Sequence, residues 1–317
     1  MTVVPRLLEK IFNKIKAQIL EKPFFSRVIA SLAFSYALKE NLDKNSILFK
    51  IYDKLVYSKF REIFGSRVDK LVSGGAPLSK EIAQFFVNIG VPVYQGYGMT
   101  EFSPVVSTNY PNANKVGSCG KVIPSAQIKI TQNNELLVRG DSLMLGYLNQ
   151  EELTKNTIDS DGWLHTGDVA HLDEDGYLFI KSRIKDIFKT STGEYVNAVE
   201  IEQKLSKNRY IEFAVVISQN RKYTTALLFV DKEKYENAKK LNKNLTIEDY
   251  YNKDDILRNI SSHINSVNSG LNKWEKIVKF KILTNDISIE TGELTPSMKI
   301  SRSKIEEKYE NIINSMY

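Results

Sequence analysis

Apolar residues recur at helical spacing from the start of the chain. Leu7, Leu8, Ile11, Phe12, Ile15 and Ile19 lie on one stripe, with Lys10, Lys14 and Lys16 between them. That spacing predicts an amphipathic helix, and helical patterning persists to about Phe64. The period then changes. Val68–Val72 predicts a short strand, and a helix follows from Ser79 with Ile82, Phe85, Phe86 and Ile89 on one face. Gly90 stops that helix, and Val91–Gln95 predicts a second strand. Strand, helix and strand at these lengths imply a parallel pair joined by a right-handed crossover.

From Lys115 to Gly146 the pattern turns to short alternating stretches. Gln127–Ile130 and Glu135–Arg139 predict a hairpin across Thr131–Asn134. Val169–Leu172 and Tyr177–Lys181 predict another, turning at Asp173–Gly176, whose final glycine suits a tight turn. The second strand runs into a charged cluster, Ser182–Asp186. Beyond it, Lys189–Val196 predicts a loop entering a helix that opens at Asn197, with Glu200 three residues on as in a capping box. Phe213–Ile217, Thr225–Val230 and Ile277–Leu283 predict strands, Asp255–Val267 a helix, and a charged amphipathic helix follows from about Arg302. Elements without regular βαβ alternation suggest a compact α+β domain. The expected fold class is therefore α/β followed by α+β. The parallel βαβ unit and the short alternating strands precede the charged cluster, and the α+β elements follow it. A chain of 317 residues is long enough for two cores.

With 42% hydrophobic and 26% charged residues the composition is that of a globular protein. The single cysteine, Cys119, excludes an internal disulfide framework and reads as a small core filler. Net charge is +6 but uneven: residues 1–61 hold 12 Lys/Arg against 5 Asp/Glu, leaving 32 against 33 for the rest. That basic segment suits a solvated helix face, and it also suits peripheral contact with an anionic membrane surface. Its bases are not interleaved with stacking aromatics, so nucleic acid is not an expected partner. Met1–Pro5 lacks the features of a signal peptide, and the apolar run Val28–Leu38 is too short to span a bilayer. The expected location is cytoplasmic, at most peripheral on a membrane. His165, His171 and His263 have no metal-ligand spacing.

Candidate chemistry gathers at strand ends. Ser73–Pro77 and Gly96–Glu101 both leave the carboxyl ends of the predicted parallel strands, the edge at which open α/β sheets bind ligands. Glycines there let the backbone approach a planar base, and Tyr97 offers a ring face for stacking. Thr100 supplies a hydroxyl for a phosphate oxygen, and Glu101 a hard oxygen ligand for Mg²⁺. Further on, Gly162 and Gly167 break the backbone and leave Asp168 at a loop exit. A carboxylate there can accept from two vicinal hydroxyls, as on a ribose, while the Arg183 guanidinium suits a phosphate.

SGGAP at 73–77, QGYGMTE at 95–101, ELLVRGDSLMLGYLN at 135–149, HTGD at 165–168, KTSTGEYV at 189–196 and LTPSMK at 294–299 occur in order. This wording resembles the AMP-forming long-chain acyl-CoA synthetases of the adenylate-forming superfamily. The resemblance implies that Gly74, Gly75 and Ala76 line adenine, and that Tyr97, between Gly96 and Gly98, stacks on it. Thr100 would meet the α-phosphate, Glu101 would hold Mg²⁺, Asp168 the AMP ribose, and Arg183 both ribose and phosphate. Residues 1–184 would be a truncated large AMP-binding domain that includes its small β subdomain, and residues 185–317 the small mobile α+β domain. Lys185 would be the hinge between them, and Lys299 the lysine that meets carboxylate and α-phosphate during adenylation. Losing one such preorganised charge typically costs about 3 kcal/mol or more in the barrier. Thr192 stands where many members carry glycine.

The implied activity joins a fatty acid to ATP, then passes the acyl group to CoA; a carrier-protein pantetheine is the alternative acceptor. The family's Ser/Thr/Gly-rich phosphate loop, ending in Pro-Lys, has no counterpart in this sequence. The opening VPRLLEKIFNKI resembles an internal segment of the large domain, so the resemblance maps onto the carboxyl-terminal portion of the family. The chain alone is therefore expected to be weak or inactive. It would be either a split ligase completed by a separate amino-terminal half, or a non-catalytic remnant that binds AMP or a partner.

Overall fold

In the computed structural model, which describes residues 1–65, 68–295 and 299–317, the chain divides into two compact units, Met1–Lys181 and Ser182–Tyr317. The first begins with β1 (Thr2–Val3), α1 (Pro5–Leu20), α2 (Phe24–Ala37), α3 (Ile47–Tyr52), a π turn at Asp53–Tyr57 and α4 (Ser58–Arg61). The stripe seen in the sequence is the buried one: Leu8, Phe12, Ile15 and Ile19 of α1 face inward. They meet a cluster of aromatic rings in which Phe85 lies 5.1 Å from Phe12 and 4.8 Å from Phe34. Buried Asn88, at the end of the helix Lys80–Asn88, ties that helix to the end of α2 by donating to the Ala37 and Lys39 carbonyls.

Next come β2 (Leu71–Ser73), α5 (Lys80–Asn88), β3 (Val93–Gly98), β4 (Val105–Thr108) and β5 (Lys121–Val122). They form a five-stranded sheet in the order β1-β2-β3-β4-β5. The first three strands are parallel, and β4 and β5 pair antiparallel. The strand expected at Val68–Val72 forms only over Leu71–Ser73. The strand expected at Val91–Gln95 runs on through the glycine turn to Gly98, because β4 returns alongside it and supplies the ladder. Then β6 (Ala126–Ile130), β7 (Glu135–Gly140), α6 (Glu151–Thr157), β8 (Leu164–Leu172) and β9 (Leu178–Arg183) build a second sheet in the order β6-β7-β8-β9. Its inner face closes on Phe102, Val106, Leu136, Val138, Ala170 and Leu178.

The second unit opens with β10 (Ile187–Lys189) and β11 (Tyr195–Asn197), an antiparallel ribbon where the sequence pattern suggested a plain loop. The two short strands pair around a turn in which the Thr190 N–H donates to Glu194 and the Gly193 N–H to Thr190. Asn197 then caps α7 (Ala198–Leu205) by accepting from the Glu200 N–H, as the capping pattern predicts. After β12 (Ile211–Ile217) and β13 (Thr224–Val230) come α8 (Lys232–Lys239), α9 (Ile247–Tyr251) and α10 (Asp254–Ser269). The chain ends with β14 (Ile277–Leu283), α11 (Arg302–Lys308) and α12 (Glu310–Ser315). β13 is central, antiparallel to β12 and parallel to β14. All seven of its residues are buried, because each face is covered. Ala226, Leu228 and Val230 pack with α7 and α10, while Leu227 and Phe229 pack under Ile305, Tyr309 and Ile313. No helix among the described residues is long and apolar enough to cross a membrane.

Candidate active site

The parallel register pairs Ser73 with Gln95, so the two glycine-bearing segments leave the sheet side by side. A Cβ on Gly74 would lie 3.6 Å from the Gly96 carbonyl oxygen. The Ser73 Oγ and the Gln95 Oε1 are buried at this edge with no partner among the described residues. Such groups cost about 1–3 kcal/mol each when left unpaired. Gly98 has a packing task of its own. A Cβ there would stand 1.8 Å from the Pro104 carbonyl oxygen, and the adjoining Met99 N–H donates to that oxygen at 2.7 Å. Its lack of a side chain serves strand approach.

Tyr97 and Asp168 meet. The Tyr97 hydroxyl donates to Asp168 Oδ2 at 2.5 Å across 71 positions of sequence. Asp168 is not at a loop exit, as its flanking glycines suggest, but inside β8 and 3% exposed. A bulge accounts for this. The β7–β8 register passes from Glu135 opposite Val169 to Leu137 opposite His165, leaving Thr166, Gly167 and Asp168 outside the ladder. Gly167 takes φ +67°, a backbone shape that other residues adopt only under strain. The Thr166 hydroxyl donates to the Leu136 carbonyl at 2.7 Å and accepts from the Asp168 N–H at 3.0 Å.

Thr100 and Glu101 sit in a single 3₁₀ turn, Thr100–Phe102, pinned by the fully buried Phe102 ring. Thr100 is exposed and Glu101 half-buried. Glu101 is held at both ends: its carbonyl accepts from the Met144 N–H at 2.8 Å, and its Oε1 from the Tyr147 hydroxyl at 2.9 Å. Burial and then the Glu101 carboxylate push the Tyr147 phenol above its ordinary pKa, so it remains a donor at neutral pH. No cluster of three or more His, Cys, Asp or Glu suited to a metal occurs among the described residues. One carboxylate with a neighbouring hydroxyl suits Mg²⁺ that arrives with a polyphosphate and keeps most of its ligands from water and substrate.

The other predicted residues belong to the second unit. Arg183 ends β9, and Lys185 lies in the following 3₁₀ turn, Ile184–Asp186; both are exposed. Lys299 is exposed at the base of a loop whose residues Pro296, Ser297 and Met298 fall outside the described ones. The loop base is firmly set. Leu294 bridges Ile300, and the Thr295 N–H and Oγ1 bond respectively to the carbonyl and N–H of Lys299. Beside it Glu293 is 1% exposed and accepts from Lys308 and from the Thr291 hydroxyl. Burial alone would raise its carboxyl, but the Lys308 ammonium and the Thr291 hydroxyl outweigh that and hold it at about 2. Next along the chain, Arg302 pairs with buried Glu202 at 2.7 Å and lies over the Phe188 ring.

Sequence reasoning missed three side chains around this site: Tyr147, Glu135 and Thr166. Tyr147 carries no spacing signal toward Glu101, 46 positions away. His165, which has no metal-ligand spacing, has its Nδ1 3.2 Å from Glu135 Oε2. Cys119 is the buried filler expected, and burial lifts its thiol to about 11.

The family described as AMP-binding enzyme matches residues 1–148. That described as AMP-binding enzyme C-terminal domain matches residues 185–317. A long-chain-fatty-acid–CoA ligase of Mycobacterium bovis is 32% identical over 99% of this chain and 54% of its own length. Among solved structures, the adenylation domain of a Mycobacterium chelonae carboxylate reductase aligns with a TM-score of 0.72 at 22% identity, over 100% of this chain and 46% of its own. A Segniliparus rugosus carboxylic acid reductase domain, in complex with AMP and a co-purified carboxylic acid, aligns with a TM-score of 0.69 at 21% identity, covering 100% of this chain and 46% of that one. The chain thus spans about half the length of the relatives it matches.

Proposed function

Since the chain belongs to the AMP-binding enzyme family, we propose that it is the carboxyl-terminal portion of an AMP-forming long-chain fatty-acid–CoA ligase. The observation that carries this reading is the Tyr97–Asp168 contact. An aromatic ring at the end of β3 and a desolvated carboxylate from the bulge within β8 meet beside the Gly74–Gly96 edge. That arrangement suits an adenosine, with the base on the ring and the ribose hydroxyls on the carboxylate. Thr100 and Glu101 would take the α-phosphate and its Mg²⁺, which supplies charge neutralisation on the phosphate oxygens.

In the proposed reaction a fatty carboxylate oxygen attacks the α-phosphorus of ATP and pyrophosphate leaves. Lys299 would balance charge as it builds on the attacking carboxylate and the phosphate, and Arg183 would hold ribose and phosphate. The second unit would then turn about Lys185, and a CoA thiolate would attack the acyl carbonyl, releasing AMP. The boundary at 184/185 and the mobility of the second unit belong to this proposal. So do the cytoplasmic location, peripheral membrane contact through residues 1–61, and the separate amino-terminal half supplying the phosphate loop. The chain alone would bind AMP yet turn over weakly or not at all. Isothermal titration with AMP, on wild type and Asp168→Ala, tests the binding: micromolar to millimolar binding lost in the variant is expected, and equal binding by both would refute the site. Fatty-acid-dependent ATP–pyrophosphate exchange by the purified chain at a full enzyme's rate would overturn the expected inactivity.

A further inference from the structure

We propose that Glu135 is a positioning residue that sets where Asp168 stands, and thereby how this site distinguishes a ribose diol. The inference rests on the adenylate reading above. It begins from how the bulge is held. On the β7 side the register skips Thr166, Gly167 and Asp168. Two adjacent β7 residues bond to this segment. Glu135 Oε1 accepts from the Gly167 N–H at 3.2 Å, and the Leu136 carbonyl accepts from the Thr166 hydroxyl at 2.7 Å. That same hydroxyl takes the Asp168 N–H at 3.0 Å, so each of the three bulge residues is fixed by β7 directly or at one remove.

The second oxygen of Glu135 is 3.2 Å from His165 Nδ1, which holds the carboxylate against the strand, and the opposite ring nitrogen lies 3.8 Å from Asp159 Oδ2. The Glu135 side chain is 17% exposed, and its bond to the Gly167 N–H is partly shielded from water. Asp168 is 3% exposed and already engaged by Tyr97. A carboxylate so enclosed cannot search for hydroxyls; its value to a ligand depends on the backbone holding it in place. Removing the Glu135 carboxylate leaves the Gly167 N–H unpaired and lets the bulge shift along β8. The ribose contact then suffers while the base surface on Tyr97 persists.

The test is titration of the full 317-residue chain with AMP and with 2′,3′-dideoxy-AMP, on wild type, Glu135→Ala, Glu135→Gln and Thr166→Val. Wild type is expected to prefer AMP by about tenfold or more, the scale of hydrogen bonds to a charged group. Glu135→Ala and Thr166→Val are expected to bring that preference close to one. Glu135→Gln should keep it, because its amide oxygen still accepts from Gly167. Should Glu135→Ala fail to fold, Glu135→Asp, whose shorter side chain withdraws from the Gly167 N–H, carries the test with the same loss of preference expected. Preference unchanged in the folded variants, with both nucleotides weakened alike, overturns the inference and leaves the adenylate reading standing. A wild type that shows no preference for AMP sinks the ribose role of Asp168, and this inference with it.

Discussion

Replacing Tyr97 with Phe removes one oxygen and leaves the ring. The lost bond is charge-assisted, 2.5 Å long, and made to a carboxylate 3% exposed. Bonds of this kind contribute about 1.5–3 kcal/mol. The partner variant Asp168→Asn keeps the shape and removes the charge. A double-mutant cycle on urea unfolding should therefore show a coupling of about 1–3 kcal/mol between the two sites. With a urea dependence of about 2 kcal/mol per molar, Tyr97→Phe alone should lower the midpoint of the first unit by roughly 1 M. The same cycle on AMP affinity separates the two halves of the ligand. Tyr97→Phe should weaken AMP by about tenfold through the displaced Asp168, while adenine alone binds as in wild type because the stacking face is intact. Coupling below about 0.5 kcal/mol, the spread expected for independent sites, would show that the short contact contributes nothing. Adenine and AMP weakened equally would place the ring, not the carboxylate, at fault.

Glu293→Gln should flatten the acid limb of stability of the second unit. The wild-type carboxyl falls from an ordinary 4.5 to about 2 on folding, so its contribution is complete above 4.5 and is lost as pH falls toward 2. Thermal midpoints between pH 6 and pH 2 should converge for the two proteins at the acid end, and curves that stay parallel would contradict the assignment. Phe85→Ala should cost about 3–5 kcal/mol, because this fully buried ring packs against Phe12, Phe34, Phe60 and Phe86. Scanning calorimetry should show the transition of the first unit lowered and that of the second unchanged; an equal fall in both would mean that they unfold together. Gly98→Ala should drive β3 from β4, since its Cβ falls 1.8 Å from the Pro104 oxygen. We expect at least about 2 kcal/mol lost with AMP binding abolished, and an unchanged midpoint would refute the packing argument.

The sequence by itself determined whatever a local pattern can encode. The apolar spacing in α1 and α5 placed both helices, and the run Ile277–Leu283 marked β14 at its observed ends. The Asn197 cap followed from residue type at the proper offset. The candidate site residues stood out as motifs because the chemistry proposed for them is tied to short segments. Only the tertiary structure decided what those segments do to one another. Nothing in HTGD announces that Asp168 lies within a strand, because the bulge exists only when β7 presents a partner for residues on either side of it. The Tyr97–Asp168 and Tyr147–Glu101 bonds join residues 71 and 46 positions apart. The apolar run of β13 marks a buried strand, but which helices cover each face depended on where α10, α11 and α12 return. Local periodicity records which side of an element shuns water; the partner that covers it is chosen by the path of the whole chain.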